Sequence, residues 1–314
     1  MTHPVVYFNG SFVPEHQARV PILTHALHYG TGVFEGIRGY HDAASGELHL
    51  FRPLDHFQRM AGNVKLLHMS LPSSPGALVD ATTELIRRNR FAEDVYVRPI
   101  LFKSATRVGV TLPEEESFAI LAVPFGRYLE SRKGLKCMIT SWRRLQDNSI
   151  PCRGKICGAY VNSALASHEA RLRGFDEAIF LNEAGHVAEG SAENLFLVRR
   201  GRLITPDVSQ GILEGITRDT LICFAHETLG LEVEARAVDR TELYVADEVF
   251  LCGTAAEVAP VTSIDERPVG DGHPGHITLR LQHMYDQIVH GHLPRHRNWM
   301  EPCYRMKERL SGVA

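Results

Sequence analysis

Of the 34 basic residues in the 314-residue chain only six are lysines: Lys65, Lys103, Lys133, Lys136, Lys155 and Lys307. Lysine-dependent chemistry therefore has few candidates. Lys155 stands in Arg153-Gly154-Lys155-Ile156-Cys157-Gly158-Ala159-Tyr160, among glycines and apolar side chains just ahead of an expected helix. Withdrawal from water disfavours an ammonium ion, lowers its pKa and frees the amine for Schiff-base formation with a carbonyl. A solvated loop lysine is the alternative at this position, and solvated charge is the default for the other five.

Three further groups could support such chemistry. Gly215-Ile216-Thr217 opens a helix with Thr217 as a candidate N-cap; backbone N–H groups and a hydroxyl there suit a phosphate, although most Gly-x-Thr starts are caps and nothing more. Gly253-Thr254-Ala255-Ala256-Glu257 ends a strand in a small, hydroxyl-bearing turn, either a second set of donors for oxygen ligands or a tight turn alone. Glu189-Gly190-Ser191-Ala192-Glu193-Asn194 gathers two carboxylates and an amide around a glycine. Such acids are usually solvated, but one could be the anion that a protonated pyridine nitrogen requires.

Several patterns point away from other chemistries. Gly270-Asp271-Gly272-His273-Pro274-Gly275 matches GxGxxG, yet Pro274 and the lack of a following βαβ unit make it a turn rather than a dinucleotide site. His25/His28 and His273/His276 have HxxH spacing without a carboxylate or thiolate to complete a tetrahedral set, so no metal is expected. Neither a Gly-x-Ser-x-Gly elbow nor a Walker loop occurs.

The elements that must position these residues read as α+β. Asn9-Gly10 between two β-rich runs, Val5–Phe8 and Ser11–Val13, signals a hairpin. Leu54, Phe57, Ala61 and Val64 fall on one helical stripe, and Ala77 to Arg90 predicts a second helix. Val95 to Phe102 is a strand whose period of two puts Tyr96 and Arg98 on one face, while Pro99 argues for an edge or a bulge. Phe118 to Val123 is a buried strand, and Pro124 to Gly134 reads as an interdomain connection. In the second half, a strand from Lys136 to Trp142 precedes a helix from Gly158 to Arg173, with Val161, Ala164, Leu165 and Leu172 on its expected inner side and Gly174 as its stop. Short strands follow at Glu177–Leu181, Asn194–Val198 and Arg202–Thr205, then a helix from Thr217 to Leu229 and a strand at Glu248–Cys252. Trp299 to Ala314 reads as a peripheral tail.

Length suggests about two domains at roughly 150 residues each. The net charge of −3, with 44% hydrophobic and 23% charged residues, indicates no nucleic-acid or anionic-membrane partner. No apolar run is long enough to span a bilayer, and the start lacks a secretory pattern. The six cysteines, scattered without CxxC pairs, suit free thiols in a reducing cytoplasm.

These pieces, in this order, resemble the branched-chain amino-acid aminotransferases of the fold-type IV pyridoxal-phosphate group. The resemblance runs from about Tyr7 to His290. Its most specific elements are the run from His28 to Arg38, Tyr96-Val97-Arg98-Pro99, Glu189 to Phe196, Gly215-Ile216-Thr217-Arg218-Asp219, and Ala246 to Glu257. It implies a small N-terminal α/β domain over 1–124, an interdomain loop over 125–135 and a larger pseudobarrel domain over 136–314 that binds pyridoxal 5′-phosphate and carries the C-terminal tail. It further implies Lys155 as the Schiff-base residue, Tyr160 on the cofactor's phenolic oxygen and Glu189 at its pyridine nitrogen. Arg59, Ile216, Thr217 and Thr254 would hold the phosphate. Tyr96, Thr254 and Ala255 would form the substrate pocket and bind its carboxylate, with Arg98 taking a dicarboxylate side chain. Phe34, Gly36 and Tyr128 would shape the rest, together with Tyr29 and Val110 from a partner subunit.

The implied activity is ping-pong transfer of an amino group between L-leucine, isoleucine or valine and 2-oxoglutarate, in a homodimer at least, with a hexamer as the alternative. Amino acids and 2-oxo acids are the expected partners. Rivals of the same fold are D-amino-acid transaminase, (R)-amine transaminase and aminodeoxychorismate lyase; a silent amino-acid-binding protein would need Lys155 or Glu189 idle. Tyr96-x-Arg98 together with Gly253-Thr254-Ala255-Ala256 favours the branched-chain type. Three positions depart from the family's common pattern: Asn63, where serine is frequent, Phe125, where some members have tryptophan, and His276, where a proline usually follows glycine.

Overall fold

The computed structural model describes residues 4–126 and 134–305. Two sheets organise them into the two-domain α+β fold of type IV. In the first, the strands run in the order Met300–Pro302, Glu47–Phe51, Ile37–Asp42, Val95–Lys103, Glu116–Pro124, Val5–Phe8 and Ser11–Pro14, and Gly32–Phe34 also pairs with Val95–Lys103. The Asn9-Gly10 hairpin forms as expected, with Asn9 and Gly10 both at positive φ.

The period-two reading of Val95–Lys103 holds. Val95, Val97 and Leu101 enter the core, whereas Tyr96, Arg98 and Ile100 face a cavity. The strand is interior, however, not an edge, so the expectation drawn from Pro99 fails. Its neighbour on one side changes from Gly32–Phe34 to Ile37–Asp42 at this point, and the Pro99 carbonyl accepts from Glu35 N at 2.9 Å. The missing proline N–H therefore falls at a break in the ladder, where it costs no bond.

The helices Pro53–Asn63 and Pro75–Asn89 pack on this sheet. The first buries His56, Phe57, Met60 and Asn63 and leaves Leu54 exposed, a face turned from the expected stripe. Polar His56 is inside because it meets a buried carboxylate, a pairing that hydrophobic periodicity cannot register.

The second sheet runs Val187–Gly190, Glu177–Leu181, Leu135–Arg143, Glu257–Ile264, Glu248–Gly253, Asn194–Arg199, Arg202–Pro206 and Val233–Arg236, with Arg267–Pro268 on Glu257–Ile264. Helix Tyr160–Leu172 lies across it with Ser163, Ala166 and Ala170 inward. Val161, Ala164, Leu165 and Leu172, expected inside, are exposed. Small side chains let this helix approach the sheet closely, and close packing outweighs the larger apolar stripe on its other side.

Trp299 to Arg305 is not peripheral. Met300–Pro302 pairs with Glu47–Phe51, Cys303 is fully buried, and the Glu47 carboxylate accepts N–H bonds from Cys303, Tyr304 and Arg305 at 3.0, 2.7 and 2.8 Å. A division at residues 124 and 136 stays a proposal, with 300–305 reassigned to the first sheet.

Candidate active site

A cavity of about 770 Å³ opens between the two sheets. Its floor is the segment Gly154–Tyr160, which leaves the second sheet to bond with the first. Val33 and Ile156 form an isolated β-bridge, Phe34 N donates to the Lys155 carbonyl at 3.0 Å, and Gly158 N donates to the Gly30 carbonyl at 3.0 Å. A Cβ on Gly30 would stand 2.6 Å from Gly158 Cα, and Gly30 has φ +65°, so both space and conformation demand glycine there.

This stitching fixes Lys155 at the cavity wall. Its Nζ is 2.6 Å from the Tyr160 hydroxyl and 5.0 Å from the centre of the Phe34 ring. Burial pulls the amine down, as expected from its surroundings, but the Tyr160 oxygen, Glu35 and Tyr96 outweigh that effect and Arg59's opposing charge. The net shift is upward, opposite to the expectation from desolvation alone.

Glu189 is buried opposite. Its carboxylate pairs with Arg144 Nη2 at 2.6 Å and accepts from Asn194 Nδ2 at 2.9 Å and Leu213 N at 3.0 Å. Burial raises its pKa against the lowering effects of Arg144 and the Leu213 N–H. Asn194 also donates to the Leu213 carbonyl at 2.8 Å, so one amide ties the acid to the chain leading into helix Ile216–Glu227. A Cβ on Gly215 would lie 2.0 Å from Asn194 Oδ1, which explains the glycine. Beside it, burial and the nearby Glu177 carboxylate push Glu193 up.

That helix begins at Ile216 rather than Thr217, and its N-cap is Gly215 rather than Thr217. No side chain caps it, which leaves first-turn N–H groups for a ligand, and Thr217, the second helical residue, is buried. Arg59, from helix Pro53–Asn63, reaches the same place. Its Nη1 donates to the Glu214 carbonyl at 2.8 Å, while Nε and Nη2 donate to the two Glu35 oxygens at 2.8 and 2.7 Å.

The remaining wall is aromatic with one cation. Arg98 lies over Phe34 at 4.4 Å, its Nη2 donates to the Tyr96 hydroxyl at 3.3 Å, and its buried Nε has no partner. Among the described residues its recorded partners are aromatic, the Tyr96 hydroxyl and the Phe34 and Tyr96 rings, and none is a carboxylate. Gly36 faces Tyr96, and Thr254 and Ala255 close the opposite side.

Phe34, Gly36, Arg59, Tyr96, Arg98, Lys155, Tyr160, Glu189, Ile216, Thr217, Thr254 and Ala255, all singled out from the sequence, line this one cavity. Tyr29 and Val110 do not. They sit together on the outer surface, where the Tyr29 hydroxyl accepts from Gly109 N at 3.1 Å and Val110 is 79% exposed. Tyr128 lies outside the described residues. Sequence reading missed Arg144, Asn194, Glu35 and His56; Glu35 and Asn194 stood inside quoted motifs, but neither their pairing nor their burial could be read from spacing.

The class IV amino-transferase model matches residues 32–264. The chain is 46% identical over 299 residues to a probable branched-chain-amino-acid aminotransferase of Aquifex aeolicus, covering 95% of this chain and 96% of that protein. Among solved structures, the branched-chain aminotransferase of Thermoproteus uzoniensis with norvaline is 42% identical with a TM-score of 0.91, covering 96% of this chain and 99% of that one. The pyridoxal-phosphate form of the Thermobaculum terrenum enzyme is 41% identical with a TM-score of 0.92, covering 97% and 99%. With a matching family model, near-complete coverage and a shared fold, the chain belongs to the class IV aminotransferases and, within them, to the branched-chain-amino-acid aminotransferase family.

Proposed function

We propose that this protein moves amino groups between L-leucine, L-isoleucine or L-valine and 2-oxoglutarate in a two-half-reaction, ping-pong cycle. The observation that carries the reading is the Lys155 amine facing the Tyr160 hydroxyl at 2.6 Å beneath a wall of Phe34, Tyr96 and Arg98.

Pyridoxal 5′-phosphate fits the donor set of the cavity. An uncapped helix start at Gly215, the Arg59 guanidinium and the Thr217 and Thr254 hydroxyls suit a phosphate; a buried acid suits a ring nitrogen; an amine beside a phenol suits an aldehyde and a phenolic oxygen. When bound, this cofactor supplies a carbonyl that captures amines and a ring that accepts the electron pair left at a deprotonated Cα. The protein's part is positional and proton-handling. Glu189, paired with Arg144, would face the ring nitrogen and favour its protonated form, and Asn194 keeps Glu189 aimed. Lys155 Nζ would move the proton between the substrate Cα and the cofactor's C4′ carbon, with Tyr160 steadying the amine through its hydroxyl.

Leucine and glutamate must share one pocket although one side chain is hydrocarbon and the other an anion. Phe34 and Tyr96 supply apolar contact to either. Arg98, without a carboxylate of its own among the described residues, supplies the cation that only the dicarboxylate uses. Tyr96 and the Thr254-Ala255 turn are assigned to the α-carboxylate, and Gly36 to the space beside it.

Tyr29 and Val110 belong to the reading as groups lent to a neighbour's site. Their surface also exposes Ile22 at 75%, Leu27 at 62% and Val108 at 79%, a cluster of apolar side chains that a second copy would cover. We therefore assign a homodimer at least. A cytoplasmic setting is supported by six cysteines that are all free. No described helix is long and apolar enough to cross a membrane.

Incubation with leucine and 2-oxoglutarate should yield glutamate and 4-methyl-2-oxopentanoate. A panel that also holds D-alanine and an (R)-amine decides the stereochemical series. Turnover of those two but not of L-leucine would overturn the proposed reading.

A further inference from the structure

Phe34 and Gly36 face the cavity, and the residue between them must face the other way, because side chains alternate along extended chain. That residue is Glu35, an acid with no exposed surface. Its carboxylate is enclosed by donors: Arg59 Nε at 2.8 Å on one oxygen, Arg59 Nη2 at 2.7 Å and His56 Nδ1 at 2.8 Å on the other, and Gly36 N at 3.3 Å. A carboxylate offers only lone pairs, so His56 carries its proton on Nδ1. Arg59 and His56 project from the same helix, Pro53–Asn63, three residues apart and hence on one face.

The fork that Arg59 gives to Glu35 leaves Nη1 as its one outward nitrogen, and that nitrogen sits at the Glu214 carbonyl, at the entry to the helix Ile216–Glu227. An unpaired guanidinium on a long side chain would sample many rotamers; a bidentate acid selects one.

We propose that Glu35 is the positioning residue of the cofactor site: it fixes Arg59 in the orientation that receives the phosphate and ties that end of the site to the strand forming the substrate wall. This rests on Arg59 being a phosphate ligand, as assigned above. The acid is not among the residues that line the cavity and meets the phosphate end through Arg59, while its charge also bears on Lys155. Because it sits between Phe34 and Gly36, in the link from the strand Gly32–Phe34 to the strand Ile37–Asp42, the wall of the substrate pocket and the phosphate anchor are held by the same backbone.

The test measures pyridoxal phosphate release from the holoenzyme by equilibrium dialysis, reading the freed cofactor by its absorbance. Glu35→Gln keeps the shape and removes the charge. It should weaken retention about tenfold or more, the scale typical of lost supporting-shell contacts. Arg59→Met should weaken it at least as much. In the Arg59→Met background, Glu35→Gln should then cost less than about twofold, since the residue through which it acts is gone.

Equal losses from Glu35→Gln in both backgrounds, or none in the wild-type background, would overturn the positioning role while leaving the phosphate assignment standing. Unchanged retention in Arg59→Met would instead remove the assignment of Arg59 and the inference with it. Should Glu35→Gln not fold, Glu35→Asp serves in its place: a shortened carboxylate that cannot span both Arg59 nitrogens should give an intermediate loss, and wild-type retention would overturn the proposal.

Discussion

A Cβ built on Gly36 would stand 1.9 Å from the Tyr96 hydroxyl oxygen, closer than any non-bonded pair can approach. Gly36 directly precedes the strand Ile37–Asp42, whose Ile37 faces Val97 and Arg38 faces Tyr96, so neither residue can slide away without disturbing that ladder. The glycine is therefore the vacancy into which the tyrosine ring fits. Gly36→Ala should push the Tyr96 ring across the pocket and lower kcat/KM for leucine by about tenfold or more, on the scale of overpacking costs. Tyr96→Phe in the same background removes the clashing oxygen and should recover part of the loss. Steady-state kinetics of the single and double variants checks both.

Lys155→Ala should abolish transamination, with a fall on the order of 10⁴-fold, while sparing the fold. Circular dichroism of the variant should match wild type, since the backbone bonds of the segment, not its amine, hold it to the first sheet. Borohydride reduction of the wild-type holoenzyme followed by peptide mapping should find the cofactor on Lys155. A reduced adduct on another lysine would displace it from its role.

Arg98→Ala should harm glutamate far more than leucine. A charge-assisted contact of about 2 kcal/mol corresponds to roughly 30-fold in kcat/KM for the dicarboxylate. Leucine loses only side-chain packing and should change by about threefold or less. Equal losses would contradict a cation reserved for one of the two substrates.

Val110→Asp places a charge in the exposed apolar cluster beside Tyr29. Light scattering should report dissociation toward monomer, and activity should fall with it, because the neighbour's pocket loses Tyr29 and Val110. An active monomer would reject the shared site.

Glu47 secures the C-terminal segment, and its contribution is pH-dependent. Burial acts to raise its pKa, but N–H donors from Tyr304, Arg305 and Leu48 outweigh burial and hold the carboxyl below its ordinary value. A group with a depressed folded-state pKa stabilises the fold above its unfolded pKa, and that contribution fades as pH falls through the folded value. Glu47→Gln should therefore cost about 2 kcal/mol at neutral pH and progressively less below about pH 4. Denaturant unfolding of both proteins across that range measures the convergence.

Sequence alone determined the chemistry-bearing parts and their local geometry. The Asn9-Gly10 turn and the Tyr96-x-Arg98 face follow from bond rotations and periodicities that act within a few residues, and the helix after Gly215 was legible to within one residue of its start. What lay beyond reach were decisions made between distant segments. Val161, Leu165 and Leu172 read as a core stripe, yet the close approach allowed by Ala166 and Ala170 turned them outward. The last strand, Met300–Pro302, was legible only as a tail because its partner lies some 250 residues earlier, and the acid that anchors it, Glu47, is no motif at all. The supporting pairs Glu35 with Arg59 and Glu189 with Arg144 belong to the same class. A buried charge is stable only when a counter-charge meets it, and no spacing along the chain encodes which distant residue the fold will bring to it.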